Sequence, residues 1–245
     1  MLRCSSFARR RFRSVPIAIA GLALLPACAG FDPGSLGDIL ESSGPLDDAT
    51  IVSGLREALN IGTQRASASV SRTDGYFGNA RIRIPLPQEL DSAASTLRQV
   101  GLGSHVDDFE LAMNRAAEAA AGEAVDVFWS AIKSMTIADA RGILNGPDTA
   151  ATAYFRRTTE AQLEARFAPI VDEKMTTLGT VRVYDQLVSA YDALPLTTKP
   201  AFDPRAYVTD RALNGLFTVL GDEEKRIRED PLARTTALLR KVFGQ

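Results

Sequence analysis

From Asp48 onward the apolar residues of this chain return mainly at spacings of three and four, the period of an α-helix. A chain patterned this way must bury one helical stripe against another, which leaves helix-on-helix packing as the architecture. Ile51, Val52, Leu55, Ala58 and Leu59 open the first stripe, with Asp47 or Asp48 as N-cap, and it runs on to about Val70. Further helices are expected from about Glu89 to Val100, stopped by Gly101, then over Val106 to Ala121, Glu123 to Ser134, and Ile137 to Leu144 after Thr136. Asn145-Gly146-Pro147-Asp148 is a turn, and Asp148 is placed to cap the next helix. The remaining helices are read over Thr149 to Arg157, Glu160 to Leu178 with a kink at Pro169, Val181 to Leu194, Asp210 to Glu229, and Leu232 to Phe243. Pro195 to Pro204 reads as a loop, and Asp203-Pro204 as the start of a turn before Tyr207.

The period fails only between Tyr76 and Pro87. There Arg81-Ile82-Arg83-Ile84 alternates and Pro85-Leu86-Pro87 forbids a helix interior, so an extended connector or a lone short strand is expected, without a sheet. The fold class is therefore all-α: a compact multi-helix domain of about eight to ten helices with one short extended connector.

Ahead of this domain the chain changes character. Arg3, Arg9, Arg10, Arg11 and Arg13 form a basic region, and Val15 to Leu25 an apolar run. About eleven residues suit the core of an export signal and fall short of the roughly 20 that a membrane-crossing helix needs. The run ends in Leu25-Pro26-Ala27-Cys28, which resembles the bacterial lipobox, where a small residue precedes a cysteine that is lipidated on sulfur after cleavage. By that resemblance residues 1–27 are a lipoprotein signal peptide and Cys28 is the lipidation site. The resemblance also implies retention at the inner membrane for aspartate after the cysteine; Ala29 stands there, which favours the outer membrane. Arg9-Arg10-Arg11-Phe12 also resembles the twin-arginine export pattern, so both export routes stay open.

Cysteine usage agrees with an anchor. The chain has two cysteines, Cys4 and Cys28, so the mature protein has no pair for a structural disulfide. Residues 28–46 are rich in Gly, Ser, Pro and Asp, as in Phe31-Asp32-Pro33-Gly34-Ser35 and Ser42-Ser43-Gly44-Pro45, the composition of a flexible tether. Residues 47–245 then form a single helical domain, with no internal repeat and no low-complexity linker at which to divide it. Removing the first 27 residues takes away five arginines and no acids, leaving 23 basic against 30 acidic residues, a net charge of −7. Such a chain is repelled by nucleic acid and by anionic headgroups.

Several stretches together resemble an uncharacterised bacterial family, domain of unknown function 4197. They are Gly54-Leu55-Arg56-Glu57-Ala58-Leu59, Ile82-Arg83-Ile84-Pro85-Leu86-Pro87, Asp107-Asp108-Phe109-Glu110, Met113-Asn114-Arg115-Ala116-Ala117-Glu118, Ala150-Ala151-Thr152, Tyr154-Phe155-Arg156, Ala212-Leu213-Asn214-Gly215-Leu216-Phe217 and Arg234-Thr235-Thr236. The resemblance implies a mostly helical exported protein and carries no activity or catalytic residues.

The residues exclude the common chemistries by count. His105 is the only histidine, stands just before a helix in Gly103-Ser104-His105, and has no Gly-x-Ser-x-Gly elbow to serve, so it reads as a helix-start residue. One histidine and no free mature thiol cannot fill a tetrahedral zinc shell, and no Gly-x-x-x-x-Gly-Lys phosphate loop occurs. No cofactor and no catalytic residue is assigned.

One constellation stands out. Asp107, Glu110, Asn114 and Glu118 fall at helical spacings within a stripe of roughly 80°, beside the apolar face of Val106, Phe109, Met113, Ala116, Ala117 and Ala120. Oxygen ligands so spaced suit a hard cation or an acid and base pair; the other reading is a structural network with arginines such as Arg81, Arg83, Arg156 or Arg157. Arg81 and Arg83 share one face of the connector and, with Arg156, form a candidate clamp for an anion. The charge run Asp222 to Asp230 reads as a solvated helix face, with Asp222 preceding Arg226 and Glu224 preceding Arg228 by four. Phe128 and Trp129 adjoin apolar positions and read as core. The functional expectation is a lipid-anchored periplasmic protein, more a binding or scaffold domain for an envelope protein or an apolar ligand such as a lipid than an enzyme. The alternative is an enzyme or metal-binding protein using the acidic stripe.

Overall fold

Asp47 starts the first helix in the way its side chain allows. Its backbone is extended and its Oδ1 accepts from the Thr50 N–H at 2.8 Å, satisfying one of the free donors at the helix start. The computed structural model describes residues 47–178, 184, 185, 189 and 202–230, all within the second of the two units, divided between Gly44 and Pro45, that internal contacts define. In these residues there are seven α-helices and a single 3-10 turn, with no strand: α1 (Asp48–Ser71), the 3-10 turn Gln88–Leu90, α2 (Asp91–Gln99), α3 (Gly103–Ala121), α4 (Ala124–Ser134), α5 (Ile137–Leu144), α6 (Ala150–Thr177) and α7 (Pro204–Glu229). The fold class is all-α; the described residues hold fewer than the expected eight to ten helices. Of the helix read at Val181 to Leu194 only Tyr184, Asp185 and Ser189 are described, each helical, and the helix read at Leu232 to Phe243, together with residues 1–46 and Cys28 itself, lies outside the described residues.

Helix ends follow local chemistry. Gly101 takes φ 83° and ends α2, and the Leu102 and Gly101 N–H groups close back on Leu97 O and Arg98 O at 2.8 and 3.2 Å. That pair of bonds is the Schellman stop, which a side chain at this φ would strain. Thr136 and Asp139 form a reciprocal capping box at the start of α5, and the two hydrogen bonds from Thr136 lower the Asp139 carboxyl below its ordinary range.

Two helix readings need correction. The break expected between Arg157 and Glu160 is absent, and α6 runs unbroken for 28 residues. Thr158 and Thr159 turn their hydroxyls back onto Tyr154 O and Phe155 O at 2.8 and 2.7 Å instead of interrupting the helix. Pro169 is also kept inside α6. It removes the donor to the Ala165 carbonyl, but Pro169 and Ala165 are both exposed, on the solvent side of the helix, where losing that bond is least costly. The second correction is at α7, which begins at Pro204 and not at Asp210. Asp203 caps the Arg205 and Ala206 N–H groups at 2.9 and 3.3 Å, and Pro204 sits in the first turn, where its missing N–H costs nothing.

The helices pack around α3, whose Val106, Phe109, Met113, Ala116, Ala117, Ala120 and Ala121 are fully buried. Its alanines allow close approach, and α6 and α7 lie along it and along each other. α1 packs on α7 and α4, α2 on α3, and α5 on α1 and α6. Phe128 meets Phe155 edge-on at 5.0 Å and Phe217 at 6.1 Å, which joins α4, α6 and α7 in one core. Trp129, next to Phe128, is 42% exposed with Lys133 over its ring, so it is a surface residue and not core. No helix among the described residues is long and apolar enough to cross a membrane.

Candidate functional site

The connector between α1 and α2 decides what the α3 stripe does. Tyr76 is fully buried, and its hydroxyl donates to the Ala212 carbonyl on α7 at 2.6 Å. Gly215 makes room for the ring, since a Cβ there would stand 2.5 Å from Tyr76 Cε1 and 3.2 Å from Ile82 Cβ. After Ile82, also buried, the chain runs extended to Pro87. Its polar backbone therefore needs partners inside the protein, because an unpaired buried N–H or C=O costs about 1–3 kcal/mol.

The stripe supplies them. Asn114 is fully buried; its Oδ1 accepts from Ile84 N at 2.9 Å, and its Nδ2 donates to Ile84 O at 2.9 Å and to Glu110 O at 2.8 Å. The side-chain amide thus does for Ile84 what a neighbouring strand would do. Glu118, 4% exposed, accepts from the Tyr76 and Phe77 N–H groups at 3.2 and 3.3 Å through Oε1 and from Arg115 at 2.6 Å through Oε2. Arg115 also reaches Asp74 at 2.7 Å, and these two carboxylates raise the guanidinium above its ordinary range. Burial, and then the Glu118 charge, push the Tyr76 phenol far up.

The outer members of the stripe are held by arginines. Glu110 accepts from Arg83 Nε at 2.8 Å, while Arg83 lies over the Phe77 ring at 4.1 Å. Asp107 pairs with Arg98 on α2 at 2.7 Å. The stripe is therefore a seam that pins the connector, with Asn114 and Glu118 buried beneath it, and its carboxylates do not converge. Among the described residues no three His, Cys, Asp or Glu side chains come together to hold a metal ion.

The candidate anion clamp is likewise distributed. Arg81 forks onto both oxygens of Asp222 on α7, at 2.6 and 3.2 Å. Arg83 faces Glu110. Arg156 bonds Glu160 at 2.7 Å and Asn214 at 3.1 Å and lies 4.4 Å from the Phe217 ring centroid. Three arginines meet three different acids, so they present no common anion site. His105 sits half-buried in the first turn of α3 and donates its N–H to Leu102 O at 3.1 Å.

The charge run on α7 contains a residue that the solvated reading misplaces. Glu224 is buried, accepts from Ala151 N, Thr152 N and Thr152 Oγ1 at 2.8 Å each, and pairs with Arg228 at 3.1 Å. It caps the start of α6 from another helix, the role expected of Asp148, whereas Thr149 at the N-cap makes no side-chain bond. Asp222, Lys225, Arg226 and Glu229 are exposed as expected. The signal for Glu224 was present in the sequence, because it stands four residues after Leu220 and three before Ile227 on the buried face of α7.

The recesses lie elsewhere. A small cavity of about 30 Å³, room for about one water, lies between α1, α6 and α7 beside Leu59, Phe155 and Glu224. Two open grooves of about 490 and 470 Å³ flank the first turns of α7. One is lined by acids of α6 and α7. The other runs between Pro85-Leu86-Pro87 and Phe202, Tyr207 and Arg211. Neither groove contains a residue of the stripe or of the arginine set. A family model described as "Protein of unknown function (DUF4197)" matches residues 45–244. No curated protein and no solved structure matches the chain.

Proposed function

The chain belongs to the DUF4197 family of proteins of unknown function, and from that premise we propose that it is a lipid-anchored envelope protein whose helical domain binds a protein partner without catalysing a reaction. The observation that carries this reading is where the polar groups are used. Asp107, Glu110, Asn114 and Glu118 and the three arginines all serve contacts within the fold. Among the described residues two open grooves lie beside α7, and the apolar recess between α1, α6 and α7 holds about 30 Å³, far below the 300–1,000 Å³ or so of small-molecule sites. That recess is too small for an apolar ligand of lipid size, which supports a protein partner over a lipid.

The location rests on the N-terminal sequence. The basic region and apolar run ending at Cys28 support signal cleavage and lipid on its sulfur, with residues 28–46 as a tether to a domain over 47–245, and Ala29 favours the outer membrane. A single acyl chain gives only marginal membrane binding, so stable anchoring at Cys28 calls for a second chain or a second membrane signal.

The test is made in growing bacteria with the full chain, fed an alkyne fatty acid and then treated with an amine-reactive crosslinker. Wild type is expected to take up the label, to sediment with membranes and to give a discrete crosslinked species; Cys28→Ala is expected to lose the label and the membrane fraction. Label retained in Cys28→Ala would overturn the anchor, and crosslinking that yields the monomer alone would overturn partner binding.

A further inference from the structure

The dipeptide Asn-Gly occurs twice in the chain, as Asn145-Gly146 and as Asn214-Gly215. With no side chain on the second residue, nothing shields that residue's backbone nitrogen from the asparagine side-chain carbonyl. The fold requires glycine at both places: a Cβ on Gly146 would stand 2.6 Å from Ala150 Cβ and from Gly142 O, and one on Gly215 would stand 2.5 Å from Tyr76 Cε1. The two asparagines are nevertheless held differently. Asn214 lies half-buried in the interior of α7, and its Oδ1 accepts from Arg156 Nη1 at 3.1 Å. Gly215 is buried beside it, and its N–H belongs to the helix ladder.

Asn145 is instead the exposed C-cap of α5, in the turn that leads to α6, with φ −90° and ψ 0°. Among the described residues its side-chain amide bonds to nothing. The Gly146 N–H reaches Ile143 O at 3.3 Å, longer than a good N–H···O bond, and that carbonyl already accepts from Arg228 Nη2 at 2.8 Å. Pro147 follows and has no N–H to tie the turn back. We propose that Asn145 is a modification site, at which the chain deamidates itself with water as the only co-reactant. As ψ at Asn145 swings away from 0°, the long Gly146 bond is released and the Gly146 nitrogen attacks Asn145 Cγ. The N–Cγ bond forms, the nitrogen gives its proton to a solvent base, and the Cγ–Nδ2 bond breaks as Nδ2 leaves as ammonia. Water then opens the cyclic imide at either carbonyl, giving aspartate or its β-linked isomer. The product places a carboxylate at the negative end of the α5 dipole. The β-linked form also adds a backbone carbon to a turn that has no room at Gly146.

The test keeps the full chain in mildly alkaline buffer made with heavy-oxygen water, samples it over weeks, and weighs the tryptic peptides. Peptides 142–156 and 212–225 each hold a single asparagine, so the two sites are read separately. Conversion at Asn145 is expected to be at least about tenfold faster than at Asn214, with heavy oxygen taken up and the β-linked isomer among the products. In urea the fold no longer distinguishes the two dipeptides, and Asn214 is expected to speed up until the rates converge. Equal rates at the two sites in the folded chain would overturn the turn as the site. So would an Asn145 that stays intact in the folded chain while the unfolded chain converts. Acid formed without any β-linked isomer would overturn the cyclic route.

Discussion

At the scale of single residues, Tyr76 and Asn114 hold the connector, and each makes a measurable prediction. Burial, followed by the Glu118 carboxylate, keeps the Tyr76 phenol well above its ordinary value of 10.0. A raised pKa in the folded state means that stability is fully present below about pH 10 and is lost as pH rises beyond it, since only the unfolded chain then releases the proton. Tyr154, Tyr184 and Tyr207, also raised by burial, act in the same sense. Urea unfolding between pH 8 and 11 is expected to show a falling stability whose slope above pH 10 is shallower in Tyr76→Phe; an unchanged slope would mean that the phenol is not held neutral. For Asn114→Ala, the buried N–H and C=O of Ile84 both lose their partner, which costs about 3 kcal/mol. Asn114→Asp is expected to be no better, because it keeps an acceptor but loses both donated bonds and buries a charge. Loss of less than about 0.5 kcal/mol in Asn114→Ala, read from the urea midpoint, would show that the connector is held by other contacts.

At the scale of elements, α6 and α7 are joined through Glu224, which caps α6 from four residues beyond Leu220 on α7. Glu224→Ala frees two backbone donors and takes a carboxylate from Arg228, so a loss of about 3 kcal/mol is expected, with Glu224→Gln retaining part of the cap. Amide exchange gives the direct readout: Ala151 and Thr152 should lose protection before the middle of α6 does, and uniform loss along the helix would contradict a local cap. The same element marks what was legible in the sequence. Stripes at three and four spacing delimited α1, α3, α4 and α5 to within a few residues because their ends carry local signals: Asp47, the Thr136–Asp139 box, and Gly101 before α3. The ends of α6 and α7 depend on chemistry that spacing does not rank. Thr158 and Thr159 either interrupt a helix or bond back to it, and tertiary packing decides; Pro204 reads as a loop residue beside Pro195 to Pro200, although proline also suits a first turn. The α3 stripe was visible as a pattern, but its meaning was not. Whether Asn114 and Glu118 face a ligand or the Tyr76–Pro87 connector is set by a chain passing 30 to 42 residues away in sequence, which periodicity cannot place.

At the scale of the whole molecule, the described residues form a helical domain that closes on itself. Among the described residues an apolar core runs from α1 to α7, the long connector between α1 and α2 is bonded to α3 through Asn114 and Glu118 and to α7 through Tyr76 and Arg81, and two open grooves lie at the surface beside the start of α7. The acidic stripe is spent on contacts within the fold, which is the arrangement the proposed partner-binding reading builds on. The measurement that tests it most directly is thermal unfolding of the full chain with and without Ca²⁺, Mg²⁺ and an envelope lipid extract. A ligand at about 100 times its dissociation constant adds roughly 2.7 kcal/mol, or about 5–10 °C for a domain of this size. No shift with any of the three is the expected result, together with a lowered Tm in Asn114→Ala. A rise with either metal that disappears in Glu110→Gln, or a rise with the lipid extract, would contradict the structural reading of the stripe or of the closed core respectively.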